Sequence, residues 1–283
     1  MHNLNGKVAL VTGAAGIRGM GRAIAVRLAK EGADVVVVDH PQASQRFSAE
    51  AHQAGWKGLD SVVGEIQAAG RQGLAVNADI SSSSDVENLV NLTLRKFGRI
   101  DILVNNAAIP GPGKTPVVDL EEETWKNVLN INLTGSFLLS RAVARSMIQR
   151  GEGGKIIMIA SYAGKTGIAG MAAYSASKAG LISLTQTLAL ELGQYRINVN
   201  AICPGGVPTD MNYAVIEKLA REKGVSIEEA RQLHIDSFGA SIPLGRSGKV
   251  EDIAGAVAFL VSPDADYIDG QALNVCGGAL VAR

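Results

Sequence analysis

The feature that most constrains the fold is a regular alternation between short apolar runs and segments whose apolar residues recur at helical spacing. Two of these runs, K-V-A-L-V-T and D-V-V-V-V-D, are continuous, as is typical of parallel strands that are covered on both faces. The strands are predicted at 7–12, 34–39, 73–77, 101–105, 155–161, 196–202 and 272–275. The alternation predicts the α/β class: a doubly wound, mainly parallel seven-stranded sheet with helices on both faces and right-handed crossovers.

Length and charge limit the remaining possibilities. The 283 residues suit one large α/β domain when a single alternation of strands and helices continues throughout. The net charge of +0 argues against nucleic acid or an anionic membrane surface as a partner. The N-terminal residues lack the apolar core of a signal peptide, and no apolar run approaches the ~20 residues that span a bilayer. We therefore expect a soluble, cytoplasmic protein with no membrane partner.

The cysteines and histidines do not indicate a metal site. Cys203 and Cys276 are too few for a disulfide framework, and neither they nor the four histidines show the spacing of metal ligands. We expect both thiols to be reduced, as is usual for a cytoplasmic protein. No metal is predicted.

A glycine-rich turn follows the first strand. It comprises residues 13–21, G-A-A-G-I-R-G-M-G, and precedes a helical pattern at 22–32. Glycines let the backbone approach a pyrophosphate, and the start of a helix supplies free N–H groups and the positive end of the helix dipole. The succession of strand, glycine turn and helix predicts the first half of a dinucleotide-binding unit.

Asp39 ends the second strand about 20 residues beyond the glycines, where an acid that binds ribose belongs. A carboxylate accepts hydrogen bonds from ribose hydroxyls and repels a 2′-phosphate, so Asp39 favours NAD over NADP. The alternative is that Asp39 only caps the segment that follows. Arg18 argues for NADP, because its cation lies inside the glycine turn and could meet a 2′-phosphate. We expect NAD, with NADP as the less favoured cofactor.

Small or polar residues stand at the C-terminal ends of six predicted strands. They are Gly13, Asp39, Asp79, Asn105, Ser161 and Pro204. Parallel sheets bind ligands at this edge. One ligand lying across the edge would contact all six residues.

Residues 171–192 are rich in Ala and Leu and contain no proline, and they predict a helix that carries Tyr174 and Lys178. At this i,i+4 spacing the phenol and the ammonium project from one helix face. A nearby Lys⁺ favours the phenolate, so we expect the pKa of Tyr174 to lie below its usual value of about 10 and Tyr174 to act as an acid/base. The alternative is a surface pair, which arises by chance on many helices.

Three segments have features of their own. Residues 40–57 are polar and irregular, with Trp56 near their end, and we interpret them as a solvated loop; a subunit contact or a cover over the adenosine are the alternatives. Residues 120–151 predict a long, mostly helical segment. Residues 205–248 hold two short helical patterns and no strand, as expected for a substrate lid beyond the end of a strand.

Several short motifs occur in a fixed order along the chain. They are T-G…G-M-G at 12–21, D-I at 79–80, N-N-A at 105–107, Asn132, Ser161, Y-S-A-S-K at 174–178, N-A-I-C-P-G at 200–205 and D-G-Q at 269–271. In this order they resemble the classical short-chain dehydrogenase/reductase family, over nearly the whole chain. The resemblance implies a single Rossmann-type NAD(P)-binding domain over residues 1–283, with a substrate lid inserted at about 205–248.

The resemblance implies a role for each matching residue. Tyr174 is the implied general acid/base, and Lys178 lowers its pKa and binds the nicotinamide ribose. Ser161 orients the substrate oxygen, and Asn132 holds a water that links Lys178 to solvent. The candidate cofactor-binding residues are Thr12, Gly13, Arg18, Gly19, Gly21, Asp39, Asp79, Ile80, Asn105, Ala107, Tyr174, Lys178, Pro204, Gly205, Val207 and Thr209.

The sequence departs from the family pattern at two positions. Five residues, 14–18, separate the Thr-Gly pair from the Gly-x-Gly pair, where the family usually has three, so the turn must bulge. Ala108 stands where glycine is common after N-N-A.

The expected activity is hydride transfer between NAD(H) and a secondary alcohol or ketone, such as a polyol, a sugar or a cyclic alcohol. An NADPH-dependent 3-oxoacyl-thioester reductase is the alternative, against which Asp39 argues. A catalytically silent nucleotide-binding scaffold is a third reading, disfavoured by the intact set of four catalytic residues. Family members are commonly tetramers, so we expect a homotetramer that pairs the long helices at 120–151 and 174–192.

Overall fold

A computed structural model describes residues 2–240 and 242–281, apart from the side chain of Arg46. Its strands are β1 (Val8–Thr12), β2 (Asp34–Asp39), β3 (Gly73–Asn77), β4 (Ile102–Asn105), β5 (Gly154–Ile159), β6 (Ile197–Pro204) and β7 (Ala272–Val275). All seven pair in parallel in one sheet, in the order β3-β2-β1-β4-β5-β6-β7. The predicted parallel sheet is therefore confirmed.

The helices alternate with the strands. They are α1 (Met20–Lys30), α2 (Ala49–Gln53), α3 (Leu59–Ala68), α4 (Ser83–Phe97), α5 (Glu122–Leu129), α6 (Ser136–Arg150), α7 (Ala172–Leu192), α8 (Tyr213–Lys223), α9 (Ile227–Gly239) and α10 (Val250–Leu260). Helices α1, α3 and α10 cover one face of the sheet, and α4, α6 and α7 cover the other. This two-sided cover explains why the strand sequences are apolar without interruption.

Strand β2 shows how the sheet is buried on both faces. Val35 and Val37 pack into the cluster with α1, whereas Val36 and Val38 pack into the cluster on the opposite face. All four side chains are fully buried, and each such valine stabilises the fold by about 1.5–3 kcal/mol relative to an exposed one. Burial on both faces thus fixes β2 in the interior of the sheet.

The strand order places a crevice at the carboxyl edge of the sheet. The chain leaves β1 toward β2 on one side and enters β4 on the other, and β1 and β4 are neighbours. Their following loops diverge, which opens the position where ligands bind in doubly wound sheets. Gly13 and Asn106 follow these two strands, and the site described below is built there.

The structure adds detail to the sequence interpretation of two segments. Residues 40–57 are not only a solvated loop: Ser48 caps α2 by accepting a hydrogen bond from the Ala51 amide at 3.2 Å, and Ala51 is buried. The long segment at 120–151 is mostly helical, as predicted, with a π-helical turn, Asn130–Gly135, between α5 and α6. In this turn the Asn132 side chain hydrogen-bonds Ile109, which is 23 residues away.

Residues 205–248, which we call the lid segment, hold α8 and α9 and, among their described residues, no strand beyond β6. Their own apolar cluster is small. Its buried members are Ile216, Ala220 and Ala230, and it is separate from the two clusters that flank the sheet. The lid segment is therefore stabilised by little apolar burial of its own.

Both cysteines are buried and free. Among residues 2–240 and 242–281, no three His, Cys, Asp or Glu side chains are placed to hold a metal ion. The helices of the same residues are each too short or too polar to cross a lipid bilayer.

Candidate active site

Ser161, Tyr174 and Lys178 meet at the carboxyl edge of the sheet. Ser161 lies just beyond β5 and hydrogen-bonds the phenol of Tyr174. Lys178 stands one turn further along α7, and its Nζ lies 5.5 Å from the centre of the Tyr174 ring. The expected common face of the phenol and the ammonium is confirmed.

Asn132 occupies the π-helical turn between α5 and α6 and is fully buried. Its Nδ2 donates to the Ile109 carbonyl at 3.0 Å and to the Ser177 hydroxyl at 3.1 Å, and its Oδ1 accepts from the Ile109 amide at 2.8 Å. Ser177 in turn donates to the Tyr174 carbonyl at 2.7 Å. Asn132 thus joins the loop after β4 to the start of α7, and its implied role in holding a water stays a prediction.

The protonation of Tyr174 differs from the expectation. Burial of the phenol raises the pKa of Tyr174, and this effect outweighs the lowering by the hydrogen bond with Ser161. The expected lowering by Lys178 is wrong for this arrangement, because the ammonium donates to the Ile159 carbonyl at 2.7 Å. Burial also lowers the pKa of Lys178, to about 8.

The buried ammonium makes a testable contribution to stability. The pKa of Lys178 is about 8 in the folded chain and 10.5 ordinarily, so the unfolded chain binds more protons between these values. The stability contributed by Lys178 therefore rises with pH over this range, by about 3 kcal/mol in total. We expect the unfolding free energy of the wild type, minus that of Lys178→Met, to increase from pH 7 to pH 10 in urea titrations. A difference that is independent of pH would contradict the depressed pKa.

Thr12 and Asn106 hold the ends of β1 and β4 together. The Thr12 hydroxyl accepts hydrogen bonds from the Asn106 and Ala107 amides, both at 3.0 Å. The Asn106 side chain donates to the carbonyls of Thr12 at 2.8 Å and Gly13 at 3.0 Å. Thr12 is fully buried, so it shapes the glycine turn from within.

The glycine turn is packed closely enough to require glycine. Gly13 has φ of +68°, and a Cβ there would lie 2.8 Å from the Ala107 Cα. A Cβ on Gly21 would lie 2.3 Å from the Gly13 carbonyl oxygen. Gly19 stands immediately before the first residue of α1. The turn thereby brings bare backbone and the first N–H groups of α1 to the crevice, an arrangement that fits a pyrophosphate.

Asp39 lies at the end of β2, beside the glycine turn. Its two carboxylate oxygens accept from the backbone amides of Ala15 at 2.8 Å and His40 at 2.9 Å. These charge-assisted bonds hold the carboxylate in place. Asp39 therefore supports the turn and also places a negative charge where the ribose of a dinucleotide is expected.

Arg18 does not accompany Asp39. Its guanidinium Nη1 donates to Glu50 of α2 at 2.5 Å. The side chain lines a cleft of about 790 Å³ against the lid segment, whereas His40 and Trp56 line another of about 400 Å³. A carboxylate from the 40–57 segment thus pairs with its cation, and cofactor binding by Arg18 stays a prediction.

Three other candidates have side chains that are engaged by contacts within the protein. The Asp79 carboxylate accepts from the Ser81 amide at 2.9 Å and from its hydroxyl at 2.7 Å. Ile80 is buried against the π-helical turn at Gly135. Asn105 is buried and donates to the Ser140 hydroxyl at 2.9 Å. Cofactor binding by these three residues stays a prediction.

The remaining candidates lie between β6 and the lid segment. Pro204 ends β6, and Gly205 donates its amide to the Val275 carbonyl of β7 at 3.1 Å. Val207 packs against Gly248 at the far end of the lid segment. The Thr209 amide donates to the Asn212 Oδ1 at 3.1 Å, which caps the next turn. Cofactor binding by these residues stays a prediction.

Comparison with known proteins identifies the family. A sequence model of the family described as "Enoyl-(Acyl carrier protein) reductase" matches residues 13–279. The chain is 39% identical to a 3-oxoacyl-[acyl-carrier-protein] reductase of Synechocystis sp. over 99% of this chain and 100% of that one. It is 40% identical to a sorbitol dehydrogenase of Cereibacter sphaeroides, over 97% and 98% of the two chains.

The crystal structure of an NAD⁺-bound xylitol dehydrogenase superimposes with a TM-score of 0.80 at 34% identity, covering 97% of this chain and 99% of the other. The chain belongs to the classical short-chain dehydrogenase/reductase family. The protein is therefore an oxidoreductase, and its relatives support a nicotinamide cofactor.

The sequence interpretation gave no role at the glycine turn to three residues that contact it. Asn106 is part of the N-N-A motif, yet only its neighbours were singled out. Trp56 donates its indole N–H to the Ala15 carbonyl at 2.7 Å and so packs on the glycine turn. Asp210 of the lid segment accepts from the Arg18 amide at 2.8 Å. The last two contacts bridge distant segments and leave no local signal in the sequence.

Proposed function

We propose that this dehydrogenase transfers a hydride between NAD(H) and a secondary alcohol or ketone, with Tyr174 as the general acid/base. The observation that carries the proposal is the convergence of Ser161, Tyr174 and Lys178 at the same carboxyl edge of the sheet as the glycine turn. A phenol that hydrogen-bonds a serine hydroxyl at the edge of the crevice can share a substrate oxygen with that serine. The polyol dehydrogenases among the relatives favour a polyol or a sugar.

The residues of the chain supply acid/base chemistry and orientation. Ser161 donates to the substrate oxygen and fixes its position. The raised pKa of Tyr174 keeps the phenol protonated at neutral pH, so it is ready to give its proton to a ketone oxygen. In the oxidative direction the phenolate accepts the hydroxyl proton, and the hydrogen bond with Ser161 favours that phenolate.

The nicotinamide cofactor supplies the hydride acceptor or donor when bound. Gly13, Gly19 and Gly21 would hold its pyrophosphate, because side chains there would fill the turn. Asp39 would accept hydrogen bonds from the adenosine ribose and exclude a 2′-phosphate. The pairing of Arg18 with Glu50 strengthens the proposal of NAD over NADP, since it removes the cation that argued for NADP.

A panel of substrates offered with NAD(H) and NADP(H) side by side tests the proposal. We expect NAD-linked oxidation of a polyol or sugar, or reduction of the corresponding ketone, and a preference for NAD of about ten-fold or more. Asp39→Asn retains an oxygen acceptor and removes the charge, so this preference should fall by about ten-fold. Asp60→Asn, an exposed carboxylate on α3, is the matched control. A wild type that prefers NADPH would overturn the cofactor assignment.

The second candidate is a 3-oxoacyl-thioester reductase that uses NADPH. It is favoured by the 39% identity to a 3-oxoacyl-[acyl-carrier-protein] reductase over nearly both whole chains. Reduction of a 3-oxoacyl thioester with NADPH, and no reaction with polyols, would select it. Binding of NADH with no turnover of any substrate would favour the scaffold instead.

The wider organisation of the protein is also a proposal. We propose one NAD(P)-binding domain in which residues 205–248 act as the substrate lid. Exposed apolar side chains on the long helices, Phe137 on α6 and Leu190 on α7, support the expected homotetramer. A cytoplasmic location stays an expectation.

A further inference from the structure

Glu50 lies where three segments meet. It is on α2, in the 40–57 segment, and one of its carboxylate oxygens accepts from Arg18 of the glycine turn at 2.5 Å. Both of its oxygens also accept from Nη2 of Arg231 on α9, at 3.0 and 2.9 Å. One carboxylate thus joins the glycine turn to the lid segment, across 181 residues of sequence on the lid side.

The charges of this group are balanced. Arg231 is 8% exposed and also pairs with Glu228 of its own helix. Two guanidinium groups and two carboxylates therefore alternate in one chain, from Arg18 through Glu50 and Arg231 to Glu228. Burial alone would raise the pKa of Glu50, but the hydrogen bonds from the two arginines hold that pKa below its usual value. A buried arginine that lost Glu50 would be left with a single counterion on an exposed side chain.

A second contact joins the same two segments. The Arg18 amide donates to Asp210, near the start of the lid segment, at 2.8 Å. A Cβ on Gly16 would lie 2.7 Å from that carboxylate, so the contact requires glycine in the turn. Gly16 and Arg18 both belong to the lengthened stretch between the Thr-Gly and Gly-x-Gly pairs. The longer turn therefore brings Arg18 to the lid segment directly through its backbone amide and indirectly through its side chain, which pairs with Glu50.

These contacts lie near a cleft that borders the lid segment. A cleft of about 790 Å³ separates α1 and α10 from the lid segment and is lined by Arg18, Pro208 and Ile235. Within the lid segment the Ser247 hydroxyl donates to the Ile235 carbonyl at 2.5 Å, which joins the end of the segment to α9. Because the apolar cluster of the lid segment is small, polar contacts across the cleft contribute a large share of its attachment.

We propose that Glu50 is a positioning residue that ties the lid segment to the glycine turn, so that the two segments order and open together. Ordering of the turn by a bound anion would then order the lid segment, and the coupling is reciprocal. The effect of this coupling on cofactor and substrate binding rests on the proposed function. The attachment itself concerns the chain alone and is tested without ligand.

Hydrogen exchange of the full-length chain, read on peptides from the glycine turn and from α9, tests the attachment. We expect Glu50→Gln to speed exchange in both segments by about ten-fold, as loss of charge-assisted hydrogen bonds implies. Arg18→Ala should speed exchange in α9, and Arg231→Ala in the glycine turn. These crossed effects are the specific readout, since a merely local role for each arginine would not produce them.

Glu222→Gln is the matched control, because Glu222 pairs with Lys218 on the exposed face of α8 at 3.7 Å. It should leave exchange in both segments unchanged. Wild-type exchange of α9 in Glu50→Gln and Arg18→Ala would overturn the proposal and assign the attachment to other contacts of the lid segment. Because no substrate or cofactor is used, this outcome is independent of whether the proposed activity is found.

Discussion

Tyr174→Phe is expected to lower turnover by about 10²–10⁴-fold, the range supplied by a positioned general acid/base. The substitution removes only the hydroxyl that hydrogen-bonds Ser161 and leaves the ring in place beside Lys178. A phenyl ring needs no hydrogen-bond partner, so folding should be retained. The glycine turn and Asp39 are untouched, and the dissociation constant for NADH should stay within a few-fold of the wild-type value.

The measurement is the initial rate with the best substrate of the panel, together with an NADH titration of each variant. Tyr195→Phe is the control, because Tyr195 is 41% exposed beyond the far end of α7. It should keep wild-type turnover. Near-normal turnover of Tyr174→Phe would remove Tyr174 from the chemistry, whereas loss of NADH binding would show that the variant reports on folding instead.

Much of the sheet follows from local sequence. Strands β2, β3 and β7 were predicted at their observed bounds. In β2 the reason is that a buried parallel strand is a continuous apolar run between polar residues. The site follows in turn from the sheet. Ser161 and Gly13 come directly after parallel strands, so their positions in the sequence place them at one edge.

The π-helical turn between α5 and α6 could not be predicted from the local sequence pattern. Apolar residues continue at helical spacing through the π-helical turn, so the local pattern does not mark it. The turn holds Asn132, whose side chain bonds both backbone groups of Ile109, 23 residues away. The contact becomes visible only when the loop after β4 is placed against this helix.

The pKa of Tyr174 illustrates a second limit. Spacing gives the common face of Tyr174 and Lys178, but the direction of the shift depends on burial and on where the ammonium donates. The same holds for Arg18, whose partner Glu50 lies in a segment without a strong local pattern. Charge and burial are properties of the assembled site. The sequence therefore predicts where Tyr174, Lys178 and Arg18 lie along the chain, but it does not predict which groups they contact.

Gly21→Ala is expected to weaken NADH binding by about 100-fold or more and to lower the unfolding free energy by about 1–3 kcal/mol. The new methyl carbon would lie 2.3 Å from the Gly13 carbonyl oxygen and 2.7 Å from Nδ2 of Asn106. The closest of these atoms is backbone, which no change of rotamer can move aside. Relief therefore requires α1 to withdraw from β1, and this opens the turn proposed to hold the pyrophosphate.

Gly64→Ala is the matched control for this effect. Gly64 lies in the interior of α3 with no atom within 4 Å of its added Cβ, so the same methyl group meets only solvent. Alanine is the better helix former, and the variant should bind NADH normally and gain up to about 1 kcal/mol of stability. Fluorescence titration with NADH and urea unfolding measure both quantities. A Gly21→Ala variant that folds and binds NADH as tightly as Gly64→Ala would mean that the dinucleotide is held elsewhere than at the β1–α1 turn.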